Sequence, residues 1–131
     1  MKFKKLKNFL HKIRKGYSLY DLWNVDLYII RKLYPILKEY YYMDKMSHPI
    51  DITVEKWNEI IKEILFSCQY TLYENDELSK KDKKNFEAEY KDILYLESLP
   101  KEEFNKKWKI LAEKQSKGFE LLGKYLLNMW D

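Results

Sequence analysis

Apolar residues recur at three- and four-residue steps along most of the 131-residue chain, a spacing typical of amphipathic helices. The pattern predicts an all-α fold, a compact single-domain bundle of about five helices with short connections. The first predicted helix covers residues 1–15 and ends before Gly16, a residue suited to a left-handed helix end. Its apolar face consists of Phe3, Leu6, Leu10 and Ile13.

The second predicted helix begins at Ser18 and Asp21, which resemble a capping box. It contains Pro35, and a kink rather than a stop and restart is expected there, because the apolar stripe continues in phase beyond the proline. Its stripe begins with Leu22 and Trp23.

Three more helices follow. Thr53 is the expected N-cap of the third, which runs to about residue 73, and Ser79 caps a fourth over about 80–97. The fifth runs over about 101–129. Trp57 and Trp108 are expected in the core with Trp23, while Gly118 and Gly123 predict close packing or a bend. Trp130 is expected to dock near the second helix, with Asp131 beside it.

Charge is distributed unevenly along the chain. Residues 1–15 hold seven of the 25 cations and none of the 21 acids, so the net charge of +4 combines a +7 segment with a −3 body over 16–131. The seven cations are Lys2, Lys4, Lys5, Lys7, Lys12, Arg14 and Lys15. This asymmetry indicates an anionic partner or the chain's own acidic surface, such as the row Glu55, Glu59 and Glu63.

The first helix needs an apolar contact, because an isolated helix of about 14 residues is marginal in water. We expect it to dock on the bundle body, residues 17–131, within one domain of residues 1–131. Deleting residues 1–15 should then cost thermal stability. A basic helix lying on a membrane surface is the competing hypothesis, which is disfavoured because the four apolar residues include no Trp.

The composition excludes several classes of protein. With three Gly and three Pro, a loop-rich β fold and a disordered linker are excluded. The single cysteine, Cys68, is expected to be buried and inert, and it fits a reducing compartment. No apolar run is long enough for a signal peptide core or a membrane span, so an intracellular protein is expected.

No arrangement in the sequence predicts catalysis. His11 and His48 lie far apart and outside metal-binding spacings, and the third helix carries its acids on one face rather than across a cleft. Neither a phosphate-binding Gly-rich loop nor a Ser/His/Asp context is recognisable. The chain is therefore predicted to be non-enzymatic, with no metal and no cofactor.

Polar and aromatic residues of the second helix are candidates for binding. Three consecutive tyrosines, Tyr40, Tyr41 and Tyr42, cannot all be buried on one helix face, so at least one is exposed or at a groove edge. Both packing and binding roles fit them. Asn24 and Asp26 are mediocre helix formers, and a partner, a backbone end or a ligand would account for them.

Five segments carry a resemblance to known proteins: GYSLYDLWNVDLYI at 16–29, YPIL at 34–37, PIDITVEKWNEI at 49–60, KGFELLGKY at 117–125 and WD at 130–131. Together they resemble a family of small phage-encoded helical proteins of uncharacterised function. The family tends to place Gly before the loop proline, where this chain has Ser47 and His48. The segment 74–116 and the basic first helix lie outside the resemblance.

The resemblance implies a phage or prophage product that acts in the cytoplasm of a bacterial host cell. The leading hypothesis is a non-enzymatic accessory protein that binds and inhibits or redirects a host macromolecule, such as a defence-system protein or protein–nucleic acid complex, in an anti-CRISPR-like role. The alternative is nucleic-acid or nucleotide binding by the basic helix and neighbouring tyrosines. The predicted partner-binding residues are the seven cations of residues 1–15, Asn24, Asp26 and Tyr40, Tyr41 and Tyr42.

Overall fold

The computed structural model describes residues 2–45, 47–94 and 99–129, which form α-helices and connecting loops without any strand. The helices are α1 (Lys2–Lys15), α2 (Leu19–Trp23), α3 (Val25–Tyr42), α4 (Val54–Glu74), α5 (Lys80–Glu89), α6 (Lys91–Leu94) and α7 (Lys101–Tyr125). A 3-10 turn at Leu126–Asn128 follows α7. The all-α prediction is confirmed. The described chain has seven helices, of which five have seven residues or more, so the count of about five is wrong for the total.

Some predictions fall outside the described residues. They are the docking of Trp130 and Asp131, the last turn of the fourth predicted helix at 95–97, and everything that concerns the side chain of Lys2.

Local sequence accounts for the helix starts. The Ser18 hydroxyl accepts a hydrogen bond from the Asp21 backbone N–H at 3.2 Å, and the Asp21 carboxylate accepts one from the Ser18 N–H at 2.9 Å. This pair is the predicted capping box, which satisfies two N–H groups that a helix start leaves unpaired. Thr53 and Ser79 cap α4 and α5 in the same manner, as predicted.

Two of the predicted helices are divided. Asn24 separates α2 from α3, because its backbone leaves the helical region while its side-chain amide donates to the Tyr20 carbonyl at 3.1 Å. Tyr90 separates α5 from α6. By contrast, α3 continues through Pro35 to Tyr42, so the stop-and-restart alternative is wrong. The last helix ends at Tyr125, four residues before the predicted Met129.

The core forms where α4 packs against α3 and α7. Ten residues of α4 are buried, and Trp57 and Cys68 among them are fully enclosed, as predicted. The main cluster consists of Ile30, Tyr34, Leu37, Trp57, Ile60, Ile61, Ile64, Leu65, Cys68, Leu72 and Leu121. A second cluster joins α4 to α5 and α7 through Phe66, Tyr70, Phe86 and Leu111.

Two tryptophans predicted to lie in the core are exposed, namely Trp23 and Trp108. Leu22, which begins the predicted stripe of the second helix with Trp23, is exposed as well, and so are Phe104 and Leu126. The break at Asn24 provides the reason for Trp23 and Leu22, because it places them in a separate short helix rather than in phase with the buried face of α3.

Candidate functional site

The polar side of α1 attaches this helix to α2. Asn8 accepts hydrogen bonds through its side-chain oxygen from the backbone N–H groups of Leu19 and Tyr20, the second at 3.3 Å. His11 Nδ1 donates to the Tyr17 carbonyl at 2.8 Å. Gly16 makes the turn between the helices possible with a φ of 84°, the predicted left-handed helix end. The structure therefore gives His11 a structural role that the sequence did not predict.

The apolar side of α1 is exposed. We call it the α1 outer face, and its residues are Phe3, Leu6, Phe9, Leu10 and Ile13. The prediction that this face docks on the body is wrong, because the helix makes its contacts with α2 through polar groups on its other side. Phe9 also belongs to this face, since it lies three residues after Leu6 and four before Ile13, although it is not among the apolar residues predicted for the face from the sequence.

The predicted cations of α1 lie along both edges of this outer face and on the opposite side of the helix. Lys4, Lys5, Lys7, Lys12, Arg14 and Lys15 are all exposed, and none of these side chains lies within 4.0 Å of a carboxylate of the described residues. The acidic row of α4 does not serve as their counterpart, since α4 packs against α3 and α7 whereas α1 packs against α2. Within that row Glu59 pairs with Lys56 at 3.5 Å.

Trp23 stands beside α1 with 86% of its surface exposed. It shares an open groove of about 720 Å³ with residues of both helices, namely Lys4, Lys5, Lys7, Asn8, Leu19 and Tyr20. The groove therefore combines aromatic walls with a lysine-rich rim.

A second exposed apolar surface runs along α3. Val25, Ile29 and Ile36 are exposed at positions four and eleven residues apart, which places them on one side of a helix. We call these residues, together with Trp23, the α3 outer stripe. The opposite side of α3 contributes Leu27, Ile30, Tyr34 and Leu37 to buried positions. This stripe is not evident from the sequence because the inward apolar register of α3 is the stronger one.

The predicted binding residues Asn24 and Asp26 flank this stripe in sequence. Asn24 uses its amide to cap the end of α2, which is the backbone-end role that the sequence left open. Asp26 is exposed in the first turn of α3, where an acid interacts favourably with the helix dipole.

An arginine connects α2 to the body. Arg31 lies 3.6 Å from the carboxylate of Asp21 and 2.9 Å from that of Glu77. The backbone hydrogen bond from Ser18 is the main reason why the pKa of Asp21 is lowered, and the charge of Arg31 acts in the same direction. These two ion pairs therefore help to hold α2 against α3 and the turn that follows α4.

The three consecutive tyrosines have different environments. Tyr40 accepts a hydrogen bond from the Trp57 indole at 3.2 Å, and Tyr41 packs against the main core. Tyr42 is exposed, so the prediction that at least one of them is exposed is confirmed. Lys45 lies over the Tyr40 ring at 5.1 Å and donates to the Tyr41 carbonyl at 2.9 Å.

Tyr42 borders a shallow cleft of about 570 Å³ between α3 and α5. Asp82 occupies its inner side, where it accepts hydrogen bonds from Tyr34 at 3.0 Å and from Lys38 at 2.7 Å. Burial would raise the pKa of Asp82, but these hydrogen bonds outweigh it and the pKa is lowered. Because the carboxylate is already satisfied by α3, we interpret this cluster as a clamp between helices.

The described residues contain no group of three or more His, Cys, Asp or Glu side chains that could hold a metal ion. Burial raises the pKa of Cys68 to about 12, which keeps the thiol protonated and unreactive. His48 is exposed in the loop before α4. No helix in the described part of the chain is both long and apolar enough to cross a bilayer.

Of the three groups of residues predicted to bind a partner, two therefore lie next to each other and the third lies apart. The α1 cations and the Trp23–Asn24 junction adjoin each other, whereas Tyr40–Tyr42 form the far end of α3, about 25 Å away at the usual helical rise.

No family model, curated protein or solved structure matches this chain.

Proposed function

We propose that this protein is a non-enzymatic phage accessory protein that binds and inhibits or redirects a host macromolecule, with a bacterial defence protein as the specific case. The α3 outer stripe is the observation that carries the proposal. The phage context rests on the resemblance, which covers about residues 16–73 and 117–131.

A helix that is apolar on two opposite sides is usually covered on both. In α3 one side packs in the core and the other exposes Val25, Ile29 and Ile36 with Trp23 at one end. Exposed apolar patches of this kind mark interaction sites, and tryptophan is enriched among the residues that dominate binding energy. The α3 outer stripe therefore suits a protein partner with an apolar surface.

The test is affinity capture from host lysate with the wild-type protein and the variant Trp23→Ala. Trp108→Ala is the matched control, because it removes another exposed tryptophan, from α7. We expect one partner to be recovered with the wild type and the control and lost with Trp23→Ala. Equal recovery with Trp23→Ala would reject the stripe as the interface.

The second candidate function is nucleic-acid binding by α1, which is favoured by exposed cations that lie more than 4.0 Å from every carboxylate in the described part of the chain. Phosphate contacts release counterions, so the affinity would fall steeply with salt, by about 10³-fold or more between low and moderate salt for six contacts. A partner held by the α3 outer stripe would be far less sensitive. Binding measured at two salt concentrations separates the two functions.

A further inference from the structure

We propose that the α1 outer face binds an anionic lipid surface, so that α1 lies in the plane of a membrane with the body directed away from it. The proposal concerns a different surface from the α3 outer stripe and is independent of the function proposed above.

The geometry of α1 leaves this face available. At about 100° per residue, the five apolar side chains lie on roughly the opposite side of the helix from Asn8 and His11, which make the contacts with α2. The face is therefore directed away from the element that supports the helix. All five side chains are exposed, and no other described helix packs extensively on α1.

The charges flank the apolar residues on both sides. By the same helical geometry, Lys5 and Lys12 lie along one edge of the α1 outer face, and Lys7 and Arg14 along the other. Helices that lie in a membrane interface have this arrangement, because the apolar side chains enter the acyl boundary while the cations remain at headgroup level. Acids, which an anionic surface would repel, are absent from residues 2–15.

The shape and the type of cation also favour a lipid surface. The face is the convex side of one helix, which fits a flat surface without a complementary groove. Six of the seven cations of residues 1–15 are lysines, which act as point charges rather than as the bidentate ligands that arginine provides. Binding to the diffuse negative charge of lipid headgroups requires only such point charges.

The α1 outer face carries two aromatic rings, because Phe9 joins Phe3 among its exposed side chains. Phenylalanine and leucine are typical of the apolar side of helices that lie in a membrane interface. The objection that the basic segment contains no Trp therefore loses its force, because the face has five exposed apolar side chains, two of them aromatic, rather than the four counted from the sequence.

Charge distribution would orient the protein on the membrane. Residues 16–131 carry a net charge of −3 against +7 for residues 1–15, so an anionic surface attracts α1 and repels the remainder. The same numbers argue against pairing of two α1 outer faces, because the cations of two copies would face each other. Nucleic acid would leave the five apolar side chains without a contact.

The test is co-sedimentation of the full-length protein with vesicles at physiological ionic strength. Vesicles of phosphatidylcholine containing about 30% phosphatidylglycerol represent an anionic leaflet, and vesicles of phosphatidylcholine alone are the reference. We expect binding to the anionic vesicles and a loss of roughly tenfold or more in the double variant Leu6→Glu/Leu10→Glu. The matched control is Ile50→Glu/Leu127→Glu, which changes the charge equally at side chains that are 98% and 90% exposed away from α1.

A second set of variants separates the contribution of the cations to vesicle binding from that of the apolar side chains. Lys5→Gln/Lys12→Gln should weaken binding to anionic vesicles, whereas Lys81→Gln/Lys84→Gln, which alters exposed lysines of α5, should not. Far-UV circular dichroism of each variant verifies that the helices are retained.

A fluorophore attached to the α1 outer face reports whether this face enters the lipid. An environment-sensitive thiol dye on Phe9→Cys labels selectively because Cys68 is buried, and its emission should shift to the blue on anionic vesicles. The same dye on Ile50→Cys should not shift. The proposal is overturned if the wild type does not bind anionic vesicles, or if Leu6→Glu/Leu10→Glu binds as well as the control. It is also overturned if duplex DNA binds the protein and the vesicles do not.

Discussion

Gly118 of α7 lies directly against Ser67 of α4, and the two helices meet there without room for another carbon atom. A Cβ at position 118 would lie 2.5 Å from the Glu63 carbonyl oxygen and 2.8 Å from Ser67 Cβ. The Ser67 hydroxyl donates a hydrogen bond to the Gln115 carbonyl at 2.7 Å across the same contact. The predicted close approach at Gly118 is therefore confirmed, and Ser67 is the polar residue fully buried within it.

Gly118→Ala should destabilise the protein by about 1–3 kcal/mol, because overpacking forces the two helices apart. Gly123→Ala is the control, since a Cβ there meets no atom within 4 Å. That substitution should stabilise the protein by about 0.5–1 kcal/mol through the higher helix propensity of alanine. Denaturant unfolding measures both values. Equal effects of the two substitutions would show that helix crossing does not limit position 118.

Asp76 has a φ of 56°, a left-handed conformation that is strained for a residue with a side chain. It ends α4 in a Schellman motif, in which the Glu77 N–H bonds to the Leu72 carbonyl at 2.9 Å. Asp76→Gly should therefore raise the free energy of unfolding by about 1 kcal/mol. Its exposed ion pair with Lys83, 3.6 Å long, contributes little.

Asp76→Ala separates these two effects, because it removes the charge and keeps the strain. Thermal melts should rank the variants with Gly above wild type and Ala at or below it. If Ala matches Gly, the charge rather than the backbone conformation accounts for the gain.

Acid should weaken the clamp between α3 and α5. The folded-state pKa of Asp82 is lowered, so its contribution to stability is present above the unfolded value of about 3.9 and is lost as pH falls through the folded pKa. Asp82→Asn should lower the melting temperature near neutral pH and reduce the loss of stability below about pH 4. Asp51→Asn, which removes one carboxylate at an exposed turn, is the charge-matched control.

Cys68 should resist modification in the folded protein. The thiol is fully buried, and its pKa of about 12 leaves almost no thiolate at neutral pH. A maleimide reagent should label it only after denaturation, at a rate set by unfolding. Rapid labelling of the native protein would mean that α4 opens locally around Cys68.

Features with a local cause were predictable from the sequence. The caps at Ser18, Thr53 and Ser79 and the left-handed Gly16 depend on a few neighbouring residues, and each is found where it was predicted. Burial of Trp57 and Cys68 followed from the single strong apolar stripe of α4. In these segments the local sequence favours a single structure.

The position of Trp23 could not be predicted in this way. The second predicted helix is apolar on two sides, and periodicity does not state which side faces the core. The break at Asn24, which depends on one side-chain hydrogen bond to Tyr20, decides the outcome. For α1 the polar pair Asn8 and His11 makes the contact with α2, whereas the argument from apolar burial favoured the opposite side.

The exposed state of α1 gives a direct comparison between two leucines. Leu10 is 51% exposed on the α1 outer face, whereas Leu37 is 2% exposed in the core beside α4. Leu37→Ala should cost about 2–5 kcal/mol, because it removes buried methyl groups and leaves a cavity. Leu10→Ala should change stability by less than about 0.5 kcal/mol, since about half of the residue is already exposed and alanine is the best helix former.

The two variants make the same substitution, each in a helix. A difference between their free energies of unfolding in urea therefore reports the difference in burial of the two leucines. The exposure of Leu10 contradicts the expectation from sequence that residues 1–15 dock their apolar face on the body, whereas the loss of thermal stability on deleting these residues stays a prediction. If Leu10→Ala were as destabilising as Leu37→Ala, the α1 outer face would be covered in solution. In that case its proposed contact with a lipid surface would be impossible without first detaching α1 from the covering surface.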